Sequence, residues 1–203
     1  VQVVWYKRDL RVFDHEPLVR AAERGPVLPL YVVEPGLWAE PDRSLRHWRF
    51  LRGCLEDLDA ALAALGGRLR TEGREMLAVL EGLKGEFGTF ALWAHEETGT
   101  DWTYRRDRSV GAWCRAAGVP FTELPQHGVI RRLRERDGWA RAWDRFMAHP
   151  TAAVPERVSF VPVEAPCPAS LPYPLAADGA QRTQAPGRAR ALAVLDSFLD
   201  RRG

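Results

Sequence analysis

The sequence predicts an α/β protein, a doubly wound five-stranded parallel sheet of Rossmann-like form, and three observations predict it. Short apolar runs of strand length alternate with longer amphipathic segments through residue 124. Several of the apolar runs end in a polar turn. One of them, Val27 to Val33, is apolar at nearly every position, as a strand covered on both faces must be. Such alternation requires right-handed crossovers and helices on both sides of the sheet.

Val3 to Tyr6 is a run of β-formers long enough for one buried strand and too short for a helix. It leads into the charged stretch Lys7-Arg8-Asp9-Leu10-Arg11. Asp14 is expected to cap the following helix (Leu18, Ala21, Ala22), with Pro17 tolerated in a first turn that has no use for its missing N–H. Gly25-Pro26 breaks that helix, and Glu34-Pro35-Gly36 ends the second strand. Asp42 and Ser44 open the longest helix, whose Leu45, Trp48, Leu51, Leu55, Leu58, Leu62 and Leu65 recur at helical spacing until Gly66-Gly67. A weak third strand follows at Arg68 to Arg70, then a helix from Glu75 to Leu83 and a fourth strand from Phe90 to Ala94. His95-Glu96-Glu97-Thr98-Gly99 turns the chain into a helix from Asp101 to Ala117, and Val119 to Leu124 is the fifth strand. The polar turns Arg8 to Leu10, Glu34, and His95 to Glu97 then share the carboxyl edge of the sheet, where ligands bind at the reversal of strand order.

Residues 1–149 form this domain. Eight of the 15 prolines lie between Pro150 and Pro186, a density that disfavours regular elements and marks an interdomain linker. From Gly187 an amphipathic helix restarts (Ala191, Leu192, Leu195, Phe198, Leu199) and runs to the end of the chain, the expected first element of a truncated helical domain. A start at Val1 rather than Met is what a fragment would show.

Three cysteines, Cys54, Cys114 and Cys167, have no metal-knuckle spacing, and their odd number suits buried thiols in a reducing compartment. No apolar run approaches the ~20 residues needed to cross a bilayer, so a cytoplasmic location is expected. The five histidines lack metal-ligand spacing, and no glycine-rich phosphate loop follows any strand. Arg8, Asp9 and Arg11 read equally well as a solvated turn, and Glu96-Glu97 as carboxylates favouring a helix dipole. The segment Arg131 to Phe146, with six arginines among Trp139 and Trp143, suits nucleic-acid phosphates or interdomain packing alike.

Several motifs in order resemble the DNA photolyase and cryptochrome family. They are Trp5 to Arg11, Asp14, Pro29 to Pro35, Ser44-x-Arg46, Glu96-Glu97, and Arg106-Asp107 with Trp113-Cys114. The likeness covers residues 1 to 150 as the family's amino-terminal antenna domain and continues through the linker to the start of its flavin domain. Lys7, Asp14-His15 and His95 to Gly99 look most like the bacterial branch with an iron–sulfur cluster and a lumazine-type antenna. Any such cluster is expected in the helical domain, away from the three cysteines here.

The resemblance implies that reduced FAD, held by the helical domain, repairs pyrimidine dimers in UV-damaged DNA under light. The α/β domain would hold a second pigment of lumazine, folate, deazaflavin or FMN type. It also implies a monomer that does not engage membranes, and a portion that is not catalytic by itself. By motif position Arg8, Asp9 and Leu10 would meet the pigment ring, Val33, Glu34 and Leu37 would form the second-strand wall, and Arg46 and Phe50 the long-helix wall. Glu96 or Glu97 would accept ring or ribityl hydrogen bonds. Two other readings stand beside this one: the same domain of a cryptochrome photoreceptor, and a stand-alone α/β ligand-binding module.

Overall fold

The structure, a computed structural model, describes residues 1–131, 133, 135–164, 175 and 184–202. Its five strands are β1 (Gln2–Tyr6), β2 (Val27–Val32), β3 (Arg70–Glu72), β4 (Ala91–His95) and β5 (Phe121–Leu124). All pair in parallel in the order β3-β2-β1-β4-β5. The doubly wound α/β sheet read from the sequence is therefore the fold. β1 is central, matching β2 from Gln2↔Val27 to Tyr6↔Tyr31 and β4 from Gln2↔Ala91 to Val4↔Trp93. The order reverses at β1, so the crevice of the carboxyl edge opens there.

The helices are α1 (Glu16–Ala22), α2 (Pro35–Trp38), α3 (Leu45–Ala64), α4 (Met76–Phe87), α5 (Asp101–Ala117), α6 (Trp139–Met147) and α7 (Arg188–Arg202). Side chains alternate along each strand, which splits the core in two. Val3, Trp5, Leu28, Leu30 and Leu92 pack with Val79, Leu80 and Leu83 of α4 and Val110 and Cys114 of α5. Val4, Tyr6, Tyr31 and Trp93 face the other way, onto Leu18 of α1 and Trp48, Leu55, Leu58 and Leu62 of α3.

Local departures from the sequence reading have identifiable causes. The cap of α1 is His15 rather than Asp14: its Nδ1 accepts the Leu18 N–H, while Asp14 takes a left-handed φ of 52°. The Glu34-Pro35-Gly36 turn opens into the short helix α2, with Pro35 at its first position. Ser44 precedes α3 without a side-chain cap bond. β3 lies two residues later than expected, because Leu69 still belongs to the core and its N–H donates to Asp59. The Arg- and Trp-rich segment contains α6, none of whose residues is buried. Cys167, Arg132, Arg134 and, within the Pro-rich stretch, residues 165–174 and 176–183 lie outside the described residues.

The part of the connector that is described is laid against the α/β unit. The Asp14 N–H donates to the Ala152 carbonyl at 2.7 Å. Farther on, Val27 exchanges two backbone bonds with Ser159 and Val161, forming a parallel bridge to Phe160. Phe160 sits on Gly67, where a Cβ would lie 2.5 Å from the ring, and Pro186 sits on Gly53 of α3, where a Cβ would lie 2.4 Å away. The Arg188 N–H, at the start of α7, then donates to Asp57 Oδ2 at 3.0 Å.

Gly53→Ala should act in two directions. It favours α3 by roughly 1 kcal/mol of helix propensity, and it overpacks the Pro186 contact at a cost of about 1–3 kcal/mol. Limited proteolysis should therefore cut the connector faster while the urea midpoint of the α/β unit holds. Unchanged cleavage would show that Pro186 does not depend on this seat.

Candidate functional site

Where β1 ends, the chain turns so that Asp9 points back under the sheet edge. Its Oδ1 accepts the Lys7 backbone N–H at 2.8 Å, and its Oδ2 accepts from His15 Nε2 at 2.9 Å and from His95 Nδ1. All three side chains are buried. Because His15 Nδ1 already accepts the Leu18 N–H, the ring proton sits on Nε2 and is donated to Asp9. Burial works against a charge on Asp9, but the His15 and His95 rings hold its carboxyl well below the usual range. Burial lowers the His15 pKa in turn, against the pull of Asp9. The ligand-type atoms of Asp9, His15 and His95 lie within 4.8 Å of one another, a juxtaposition that sequence spacing hides. Here they satisfy each other as hydrogen-bonding partners.

A second network adjoins the first. Lys7 Nζ donates to Asp107 Oδ2 at 2.6 Å and to the His95 carbonyl at 2.9 Å. Arg106 of α5 reaches three buried carboxylates, those of Glu34, Glu97 and Asp107. Glu97 Oε1 also accepts from Arg8 and from the Thr98 and Gly99 N–H groups, so it ties the β1 turn to the β4 turn. Burial raises the Glu34 pKa, partly offset by Arg106. The Lys7 ammonium and the Arg106 guanidinium lie 4.5 and 4.7 Å from the Trp5 ring centroid.

Against these networks lies a cavity of about 640 Å³, within the range of small-molecule sites. Its floor is Trp5, Tyr6 and the Lys7–Arg11 turn. Tyr31, Val32, Leu37 and Trp38 form one wall, and Asp42, Arg43, His47, Phe50, Leu51 and Cys54 another. Glu97, Thr103 and Arg106 come from the β4 side, and Gly187, Arg188 and Ala191 of the connector and α7 close it. Three buried polar atoms of lining residues, Tyr6 Oη, Trp38 Nε1 and Arg43 Nε, have no hydrogen-bond partner among the described residues. All three are closed off from solvent, so they lie within the wall rather than on the face of the cavity.

Of the residues expected at the site, Arg8, Asp9, Leu10, Leu37, Phe50 and Glu97 line the cavity. Val33 is in the core, and Glu34 lies behind the cavity with Arg106, also lining a smaller pocket beside Trp102. Arg46 is exposed on α3 outside the lining, and Arg43, in the loop before α3, holds a lining place on that side. Glu96 turns toward Arg131 in a polar groove beside α5. Lys7, His15, His95 and Asp107 escape sequence reasoning as site residues, although the turns that carry three of them are legible.

A family model described as DNA photolyase matches residues 2–145. Cryptochrome-2 of Gallus gallus is 33% identical over 140 residues, 67% of this chain and 24% of that protein. A bacterial class III photolyase from Agrobacterium tumefaciens superposes with a TM-score of 0.74 at 23% identity, covering 98% of this chain and 44% of that one. A cryptochrome of Synechocystis sp. PCC6803 gives 0.76 at 17% identity, covering 98% and 46%. The chain thus spans about a quarter of the curated relative and less than half of either solved chain. The motifs around the β1 turn, the strand order and the family match over most of the chain agree, and the chain belongs to the DNA photolyase family.

Proposed function

We propose that this chain is the amino-terminal, pigment-holding portion of a deoxyribodipyrimidine photolyase-like protein. The observation that carries the proposal is the aromatic-walled cavity at the reversal of strand order, whose buried acids and bases are tied to one another rather than left free for bond chemistry. An antenna needs a rigid pocket that orients a ring and excludes water. When bound, the pigment supplies light absorption and passes its excitation to a flavin. Residues 1–149 are the pigment domain, 150–186 the linker and 187–203 the start of the FAD-binding helical domain. The pigment is of lumazine, folate, deazaflavin or FMN type. The full-length protein is a cytoplasmic monomer that binds UV-damaged DNA and repairs its pyrimidine dimers. Among the described residues no helix is long and apolar enough to cross a membrane.

The first test is an absorption spectrum and released-ligand mass after reconstitution with each pigment class. Stoichiometric binding of one supports the antenna role, and binding of none overturns it. Within that test, Glu97→Ala should lower pigment retention more than Arg11→Ala. Glu97 holds Arg8 and the Thr98-Gly99 turn, whereas among the described residues Arg11 pairs with Asp14, three positions away in the same turn. Equal retention in both variants would remove Glu97 from the site. The likeness to a cryptochrome at 33% identity favours a second reading, the same domain in a photoreceptor. Dimer repair by the full-length protein separates the two.

A further inference from the structure

α7 is held at one end. Gly187 and Arg188 are half-buried, whereas the described side chains of α7 from Ala189 onward are exposed, Ser197 aside. Pro186 and Gly187, which precede the helix, carry no side-chain acceptor for the free N–H groups of its first turn. The acceptor comes from α3 instead. Asp57 Oδ2 takes the Arg188 N–H at 3.0 Å, which puts a carboxylate at the positive end of α7. Around that bond the seat is close-fitting. A Cβ on Gly187, whose φ is +97°, would lie 3.0 Å from Asp57 Oδ1, and a Cβ on Gly53, one turn earlier on α3, would lie 2.4 Å from Pro186. Cys54 takes a hydrogen bond from the Gly187 backbone, and the Arg188 guanidinium lies 5.2 Å from the Phe13 ring centroid.

Gly187, Arg188 and Ala191 line the cavity, yet Gly53, Asp57, Phe13 and Pro186 do not. The contacts that hold this wall are thus separate from the surface it presents. Undocking the first turn of α7 removes the wall and leaves the floor and the other walls, which belong to the α/β unit. A ligand that reaches the α7 end touches those three residues only in the docked form, so its affinity carries the docking equilibrium as a factor. We propose, resting on the antenna reading, that Asp57 and Gly53 are positioning residues for the pigment, which set how tightly it is held without touching it, by seating the first turn of α7 as the last wall of the cavity. Linkage makes the coupling reciprocal, so a bound pigment also fixes where α7 begins its course.

FMN, a ribityl lumazine, methenyltetrahydrofolate and a deazaflavin are titrated into the whole chain by fluorescence, and the pigment that binds is carried through the variants. Asp57→Ala and Gly53→Ala should each weaken it about 5-fold or more, the lower end of a typical coupling. Asp57→Asn keeps an acceptor for the Arg188 N–H and should restore most of the affinity. Asp59→Ala controls for damage to α3. It releases Arg68 and the Leu69 N–H at the approach to β3, and Asp59 has no bond to α7 among the described residues, so this variant should lower the urea midpoint and leave the affinity unchanged. In the wild type, bound pigment should slow proteolysis of the connector, a readout that a purely structural role for Asp57 would not move. Affinity that stays the same in Asp57→Ala and Gly53→Ala, or falls as far in Asp59→Ala, overturns the proposal and leaves the antenna reading standing, as does connector cleavage at one rate with and without pigment. No binding by any of the four pigments overturns both.

Discussion

Arg106→Met should lower folding stability by about 3–5 kcal/mol, the range for removing one partner from a buried ionic cluster. Arg106 is one-tenth exposed and faces Glu34, Glu97 and Asp107, which are 1%, 2% and 4% exposed at their side chains. Methionine fills much of the volume and supplies no charge, so the carboxylates are left with Lys7 and the mostly exposed Arg8. The loss should depend on pH in a fixed direction. The Glu34 pKa is already raised by burial, and losing its cation raises it further. A group with a raised folded pKa takes up a proton more readily in the fold than in the unfolded chain. Its stability contribution is therefore complete below the unfolded value and declines as pH rises through the folded one. Urea unfolding should show a smaller deficit near pH 5 than near pH 8, and Glu34→Gln in the same background should recover part of it. A deficit under about 1 kcal/mol, or one equal at both pH values, would show that the cluster is solvated.

The Asp9 network sets the second expectation. Asp9→Ala leaves the Lys7, His15 and His95 N–H groups without their acceptor, and at about 1–3 kcal/mol for each unsatisfied buried donor the total should reach at least about 3 kcal/mol at neutral pH. Two groups give the wild-type protein its acid sensitivity, and both signs agree. The His15 pKa is lowered from 6.5, so below that value the unfolded chain gains a proton that the fold refuses, and stability falls. The Asp9 pKa is held well below 3.8, so its contribution persists above that value and is lost only as pH drops through the folded one. Stability should decline in two stages, first below about pH 6.5 and again below about pH 4. His15→Asn keeps a good helix cap while removing the titrating ring, so it should flatten the first stage. Parallel urea midpoints for wild type and variant between pH 7.5 and 5 would rule His15 out as the origin.

Strands, helix faces and the crevice were legible because each depends on neighbours in sequence. Burial on both faces writes a continuous apolar run at Val27 to Val33, and burial on one face writes the leucine spacing of α3. The β1 turn was legible as a ligand edge because topology follows from strand alternation. Pairing across the fold was not. Lys7 meets Asp107 from 100 residues away and Asp9 meets His95 from 86, and no periodicity encodes which distant charge a charge will find. The cap of α1 was misread for the same reason. Asp14 is the better capping residue locally, but His15 is held in place by Asp9, so tertiary contact overrode propensity. At the long-helix wall Arg46 lies on α3 outside the lining although the helix start at Ser44 was legible, and Arg43, before that start, takes the lining place because tertiary packing and not helix spacing sets which arginine faces the cavity.

The connector's route also fixes an order of assembly. Its bonds to Asp14 and Asp57 join residues 138 and 131 positions apart, and contacts of such separation carry the largest loop-closure cost. The strand-helix repeats through β5 need none of them and can fold while the rest of the chain is still emerging from the ribosome. The cavity floor and two of its walls therefore exist before Gly187 and Arg188 arrive. Gly187, Arg188 and Ala191 are thus the last part of the lining to be put in place.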